Sequence, residues 1–411
     1  MRTIKRSARA HPKVSLILAD WSVRESFHLL DYLQRQDAGR DTFEVIVVEF
    51  YSRVSEAVRK FEDQVDTWVA LEMPDSCYYH KHLMYNAGIF LARGDICVIC
   101  DSDAMVKEGF IRTIVTEFEK DPQIVLHMDQ FRNTRRDLYP FCYPSFEDVI
   151  GGGCINNVGG KTRGLQSSED SIHNLNYGAC MCARRDDLIA IGGADEHLDY
   201  LGHICGPYEM TFRLVNLGLR ETWHQTEFLY HTWHPGQAGV NNYLGPHDGR
   251  HLSTTALDAL SSGRVTPLVE NDSIRCLRLG AGGEPAAAAF RISEAYASAW
   301  SSDALRLNRL GADSCPAGAT WRGFLIERTA DGYLGYPLIA RQPAFSSLRE
   351  KLEVRAATMD ELREKLADCL RKTIRTALPG LSLASYLLQA FGLAFFLART
   401  RVRRVIASAL S

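Results

Sequence analysis

GDICVICDSDAM occupies residues 94–105. An apolar run ends at Cys100, and two carboxylates, Asp101 and Asp103, follow one residue apart. Polar turn residues commonly close a buried strand, and an Asp-x-Asp pair arises by chance in many chains. The same pair also suits a hard divalent cation, which takes carboxylate oxygens and binds well beside phosphate. Alternate residues of an extended chain point the same way, so both acids can reach one ion. The rest of the chain has to separate these two readings.

Outward from this stretch, apolar strands and amphipathic helices alternate. Lys13–Asp20 (KVSLILAD) reads as a buried strand ending in an acid, and Phe43–Phe50 (FEVIVVEF) as a second, rich in β-branched residues. Thr67–Leu71, Asp95–Cys100 and Ile124–Met128 read as further strands, with helices expected over 22–36, Ser55–Phe61, Lys81–Ala92 and Gly109–Lys120. This order predicts an α/β fold with a mostly parallel sheet flanked by helices. Ligands of such sheets sit at the carboxyl ends of strands, where Asp20, Glu49 and Asp101 all fall.

The chain has 411 residues, 46% of them hydrophobic and 24% charged, which matches one large globular domain plus an appendage. A net charge of -3 provides no global attraction to nucleic acid, and no nucleic-acid partner is expected. The start, MRTIKRSARAHPK, is basic, but VSLILAD is too short for a signal peptide's apolar region and no small-residue cleavage site follows. Eleven cysteines show no framework spacing, and Cys97-x-x-Cys100 lies in a predicted strand whose i and i+3 positions face opposite sides. The pair reads as core, and a reducing cytoplasm fits.

Residues 130–176 are rich in Gly, Asn and aromatics and read as an irregular region. GGKT at 159–162 is not a phosphate loop, because the required earlier glycine is Ile155. Gly178–Arg184 reads as a strand, Asp186–Ile191 as a helix, Glu209–Leu217 as a helix closed by Gly218, and Glu227–Tyr230 as a strand leading into His231. Farther on, Gly323–Ile339 suggests a hairpin turning at Asp331-Gly332, and Leu348 to Cys369 suggests a helix with one apolar stripe.

Residues 376–398 carry no charge and are flanked by arginines. As a helix, 381–398 would be about 27 Å long, just short of the ~30 Å hydrocarbon core. Its composition fits a helix lying in the membrane interface through residues 381–404, a buried bundle helix, or a span.

The first 240 residues resemble the glycosyltransferase family 2 group, which has the GT-A fold. VSLILADW stands where that group carries a strand ending in a Pro-x-Tyr-Asn turn, here altered. FEVIVVEF resembles the second-strand motif, Glu49 matching the first of its paired acids and Ser52 its Ser. MYNAGIFLARGDICVICDSDAM resembles the Asn-x-Gly helix, the Ala-x-Gly-Asp turn and the metal-binding Asp-x-Asp, through Asn86, Gly88, Gly94, Asp95, Asp101 and Asp103. YGACMCARRDDLIAIGGADEHL resembles the acceptor-side segment ending in Gly-Gly-x-Asp-Glu.

This resemblance implies transfer of a sugar from a nucleotide-sugar to an acceptor hydroxyl, with inversion, and a Mn²⁺ or Mg²⁺ cofactor. Asp103 would bind the metal directly, and Asp101 the ribose or the metal through water. Glu49 would meet the base ring, with Asp20 and Asn86 in the same nucleotide-sugar pocket. His231 and His234, in FLYHTWHPG, would complete the metal shell. The group's general base, a Glu-Asp pair opening a helix, is missing: Pro207 stands at its place. Glu209 is the acid on that helix, with Asp195, Glu196 and Asp199 as rivals and His203 behind them. Separately, the polar density of 241–257, with His247, Asp248, Arg250 and His251, suggests either a loop closing over the nucleotide, with Arg250 or a histidine near phosphate, or a surface loop.

The implied organisation is a GT-A domain over 1–265, an irregular α/β extension over 266–344 and a helical tail over 345–411. The implied role is surface polysaccharide or glycolipid assembly at the cytoplasmic face of a membrane, with a glycan or lipid-linked acceptor. The rival reading is a catalytically degenerate domain acting as a scaffold. A sugar nucleotidyltransferase would need a Gly-rich loop after the first strand, and ADWSVRES has no glycine.

Overall fold

All of VSLILAD except Ala19 is buried, and FEVIVVEF is buried throughout. Strands this apolar on both faces need cover on both sides, which helices supply. In the computed structural model the described residues are 1–7, 11–21, 26–73, 79–163, 175–197, 200, 206–234, 253–280, 290–291, 319–321, 324–329, 332–337, 353–358, 361–362, 364–366 and 368. The chain opens with β1 (Arg2–Arg6), β2 (Val14–Asp20), α1 (Leu29–Leu33), β3 (Phe43–Tyr51), α2 (Glu56–Arg59), β4 (Thr67–Met73), α3 (Lys81–Leu91) and β5 (Ile96–Cys100). Next come α4 (Phe110–Lys120), β6 (Ile124–His127), β7 (Gln130–Arg132), α5 (Phe146–Ile150) and the two-residue strands β8 (Asn157–Val158) and β9 (Lys161–Thr162). They are followed by β10 (Cys180–Arg184), α6 (Arg185–Ala190), α7 (Gly206–Leu217), β11 (Arg220–Trp223), β12 (Leu229–His231), α8 (Thr254–Ser262) and α9 (Asp272–Arg278).

Among the described residues the main sheet has eight strands in the order β1-β4-β3-β2-β5-β10-β6-β11. β2 runs parallel to both β3 and β5, β3 to β4, and β6 to β11, while β1 and β10 run antiparallel to their partners. The sheet is mostly parallel, as the alternating order predicts, and the antiparallel strands β1 and β10 make it mixed. Parallel β2, β3 and β5 end on one edge, which sets Asp20 beside Glu49 and lets Asp101 follow at the next strand. A separate two-stranded sheet pairs β12 with β7.

Two compact units divide the chain: Met1–Tyr243 with Thr255–Ser298, and Leu244–Thr254 with Ala299–Ser411. In the second, β13 (Ala319–Trp321), β14 (Phe324–Thr329), β15 (Gly332–Pro337) and β16 (Val354–Ala356) form an antiparallel sheet. β14 and β15 make the expected hairpin, with Thr329 opposite Gly332. The stripe expected as one helix from Leu348 is interrupted, because Val354–Ala356 pairs with β15 as a strand. Leu362 and Leu366 of that stripe are buried in helical turns.

Other expectations shift in detail. Of the helix expected over 22–36, the described part is helical only over Leu29–Leu33. β1 was not anticipated, since RTIKR has little apolar patterning; its ladder bonds to β4 supply what its side chains do not. Gly159 and Gly160 of GGKT form the two-residue turn between β8 and β9, both at positive φ as such a hairpin requires, and Lys161–Thr162 is β9 itself. Gly218 caps α7 at φ 113°, with Leu219 N–H donating to the Leu214 carbonyl. Among the described residues no helix is long and apolar enough to cross a membrane, and the tail at 381–404 lies outside them.

A buried polar knot closes the other end of the central strands. Glu44, fully buried, accepts from Ser15 Oγ (2.7 Å), Arg93 N–H (2.7 Å) and the Arg93 guanidinium (2.5 and 2.9 Å). Gly94 N–H donates to Ser15 Oγ at 2.9 Å. A Cβ on Gly94 would lie 2.8 Å from both Ser15 N and Val14 C, atoms of the β2 backbone that cannot swing aside. Gly94→Ala should therefore lower unfolding stability by about 1–3 kcal/mol, read from the urea midpoint at unchanged slope. An unshifted midpoint would show that β2 and the turn are not in this contact.

Candidate metal and nucleotide site

The segment after β5 is held by backbone pairing before any side chain acts. Asp101 N–H donates to the Ala179 carbonyl (3.0 Å), next to β10. Met105 and Tyr230 exchange both backbone hydrogen bonds, at 2.8 and 3.0 Å. β12 also lies parallel to β7 with His231 opposite Arg132, and Asn133 N–H donates to the His231 carbonyl (2.9 Å). Trp233 is clasped by the edge of Tyr139, ring centres 5.6 Å apart, and by the Arg136 guanidinium at 4.9 Å.

This frame brings Asp103, His231 and His234 together. His234 Nε2 is 3.1 Å from Asp103 Oδ2, and His231 Nε2 is 3.6 Å from Asp103 Oδ1. One donor atom from each of the three lies within 4.8 Å of the others. Asp103 and His231 are buried, while the His234 side chain is 30% exposed, so the cluster has a closed side and an open one. Burial pushes the His231 pKa down against the opposing pull of Asp103, which favours the neutral imidazole a metal needs. One carboxylate and two imidazoles form a donor set that fits a divalent transition ion better than Mg²⁺, which favours oxygen. Asp101 is not one of the three; it stands at the strand end two residues before Asp103.

Asp20 and Glu49 are opposite each other in register and almost wholly buried. Glu49 Oε1 accepts from Ser55 N–H (2.9 Å) and Trp68 Nε1 (3.1 Å). Burial and the Asp20 charge push the Glu49 carboxyl up to about 8 despite those two donors. At neutral pH the two acids thus hold a proton between them.

The remaining candidates belong to a second, buried cluster. Asn86, on α3, donates to the Ala194 carbonyl (2.8 Å) and Glu196 Oε1 (3.0 Å), and its Oδ1 accepts from Ala194 N–H (2.7 Å). Glu196 Oε1 also accepts from Asn271 (2.7 Å). Asp195 accepts from the backbone N–H groups of His197, Leu268 and Val269 at 2.9–3.1 Å. Glu209 accepts from Asp195 N–H (3.0 Å) and pairs with the Arg213 guanidinium at 2.6–2.7 Å. Burial pushes Glu209 up to about 7, with Arg213 pulling the other way. Glu209, Asp195 and Glu196 are each at most 2% exposed, and each has a structural partner. Arg250, His247, Asp248, His251, Asp199 and His203 lie outside the described residues.

Two features escaped the sequence reading. Arg132, half-buried, is opposite His231 and feels the charges of both Asp101 and Asp103. His80 and His82 anchor the Asp195–His197 turn: His80 Nε2 donates to the His197 carbonyl (3.1 Å), and His82 Nδ1 to the Asp195 carbonyl (2.5 Å). The signal for the histidines was their placement two residues apart at the start of a mostly apolar helix. Arg132 carried no signal, because only the pairing of β7 with β12 brings it to the site.

No family model matches the chain, and no curated protein matches it. Solved structures do match. S. aureus TarS 1–349 in complex with UDP-GlcNAc has 17% identity and a TM-score of 0.40, covering 57% of this chain and 63% of that one. Mannosyltransferase PcManGT from Pyrobaculum calidifontis, in complex with GDP-Man and Mn²⁺, has 20% identity and a TM-score of 0.34, covering 55% and 58%. S. aureus TarS has 15% identity and a TM-score of 0.39, covering 78% and 60%. The matches span less than two thirds of each of those three proteins.

Burial pushes His80 down to about 3, so it is neutral in the folded chain and gains a proton on unfolding below about pH 6.5. Acidification therefore removes stability through this residue, by about 1.4 kcal/mol per pH unit between those values. In His80→Asn that titration is gone. The stability advantage of the unchanged chain over the variant should shrink by about 2 kcal/mol from pH 7 to pH 5, measured by urea denaturation. A constant gap would mean that His80 is not buried and neutral.

Proposed function

We propose that this chain is a divalent-metal-dependent glycosyltransferase that moves a sugar from a nucleotide-sugar to an acceptor hydroxyl. One observation carries the reading: Asp103, His231 and His234 converge at the carboxyl edge of the parallel strands, directly after Asp101. Asp103, His231 and His234 would hold the ion, with Asp101 beside it. A divalent ion bound there supplies Lewis-acid stabilisation of a departing diphosphate. The Asp20–Glu49 pair, at the same edge, would shape the nucleotide end of the pocket.

The finer proposal is inverting transfer in surface polysaccharide or glycolipid assembly, onto a glycan or lipid-linked acceptor. In it, residues 381–404 rest on the cytoplasmic face of a membrane and Arg250 meets phosphate. The family resemblance supports the transfer and its setting, and the uncharged run at 376–398 with its basic flanks supports the membrane contact.

A second reading, a scaffold without turnover, is favoured by the engagement of Glu209, Asp195 and Glu196 in structural bonds. In the transferase reading these acids hold the acceptor-side segment, and the proton-accepting role is assigned among them by substitution. Glu209→Gln that lowers kcat at an unchanged Tm marks a base; a fall in Tm marks a tie to Arg213.

A thermal-shift screen of UDP- and GDP-sugars tests the function. With Mn²⁺, at least one should raise the melting temperature; a ligand at 100 times its Kd adds about 2.7 kcal/mol. Mg²⁺ should serve at least about tenfold less well, given the two imidazole donors. Asp103→Ala should abolish both the shift and sugar release or transfer. Binding without turnover in the unchanged chain would favour the scaffold, and no binding at all would remove the nucleotide-sugar reading.

A further inference from the structure

The geometry points to Arg132 as a phosphate-binding residue of this site, one that contacts the diphosphate of the nucleotide beside the metal. This rests on the function proposed above. Arg132 is the last residue of β7, and its partner in the parallel ladder is His231. Residues paired across parallel strands put their side chains on the same face, so the guanidinium leaves the sheet where the His231 imidazole does. Its neighbourhood is electrostatically defined: the charges of Asp101 and Asp103 act on it, and it in turn acts on His231. The backbone on either side is fixed. Arg132 N–H donates to Asn156 Oδ1 (2.9 Å), Ile155 N–H donates to the Arg132 carbonyl (3.0 Å), and Asn156 Nδ2 donates to the Gln130 carbonyl (2.7 Å).

A cation beside three candidate metal donors is unfavourable for a site that only holds metal, because it repels the ion. It becomes favourable once a diphosphate arrives. One divalent ion leaves a nucleoside diphosphate net negative, and a planar guanidinium offers paired N–H donors matched to phosphate oxygens. The residue therefore weakens the metal site when it is empty of nucleotide and strengthens it when the diphosphate is present. A guanidinium serving only as counter-ion to Asp101 and Asp103 would do the first and not the second.

The full chain with Arg132→Met and with Arg132→Lys separates these roles. Mn²⁺ alone is titrated by the loss of its free-ion resonance signal, and UDP, GDP, UMP and GMP are titrated by calorimetry at saturating Mn²⁺. In Arg132→Met, Mn²⁺ alone should bind several-fold tighter, whereas whichever of UDP or GDP binds the unchanged chain should bind about 10- to 100-fold weaker. The matching monophosphate should change by less than about threefold, since it lacks the outer phosphate. Arg132→Lys, which keeps the charge and loses the fork, should fall between; it carries the test if the Met variant does not fold. Equal losses for diphosphate and monophosphate, or an unchanged diphosphate affinity, would overturn the assignment. If the unchanged chain binds neither UDP nor GDP with Mn²⁺, the function itself falls, and Arg132 with it.

Discussion

The backbone exchange between Met105 and Tyr230 is the constraint on which the candidate site depends. It clamps the turn after β5 to β12, and β12 is held on its other side by β7. Between these anchors His231 has little freedom, and His234 follows three residues later, past Trp233, which is gripped by Tyr139 and Arg136. Donor atoms carried by rigid backbone cost little ordering entropy when an ion binds. A carboxylate from the Asp-x-Asp stretch and two imidazoles from a distant segment of the chain thus converge.

Charge is distributed around this point in an ordered way. Asp101 and Asp103 supply negative charge, Arg132 supplies a positive one, and the Asp20–Glu49 pair reduces its own repulsion by retaining a proton. Such an arrangement suits a ligand with a neutral base at one end and a strongly charged diphosphate at the other. The buried cluster around Asn86, Asp195, Glu196, Glu209 and Arg213 serves a different purpose. Its acids accept from backbone and amide N–H groups or pair with Arg213, which compensates them for lost hydration. It fastens α3, α7 and the 193–197 turn together, with neutral His80 and His82 completing the seal.

Much of the framework was legible from periodicity. The buried runs that became β2, β3 and β5 have nowhere to go but the middle of a sheet, and the helices between them make the connections parallel. The hairpin at Gly332 was legible because a positive φ there favours glycine. β16 was misread as helix, since a 3-4 spacing of leucines does not report a strand partner outside the segment. β1 was invisible for the same reason: its stability lies in ladder bonds to β4.

The sequence by itself determined the mostly parallel α/β framework and the position of Asp101 and Asp103 at a strand end, because local apolar patterning encodes strands and their termini. It also singled out His231 and His234 as candidates by type and context. Only the tertiary structure decided that both histidines meet Asp103, that Arg132 joins them, and that Asn86, Asp195, Glu196 and Glu209 face one another in the interior. The reason is physical: burial, pairing register and hydrogen-bond partnership arise between segments far apart in the chain, and no single segment contains them.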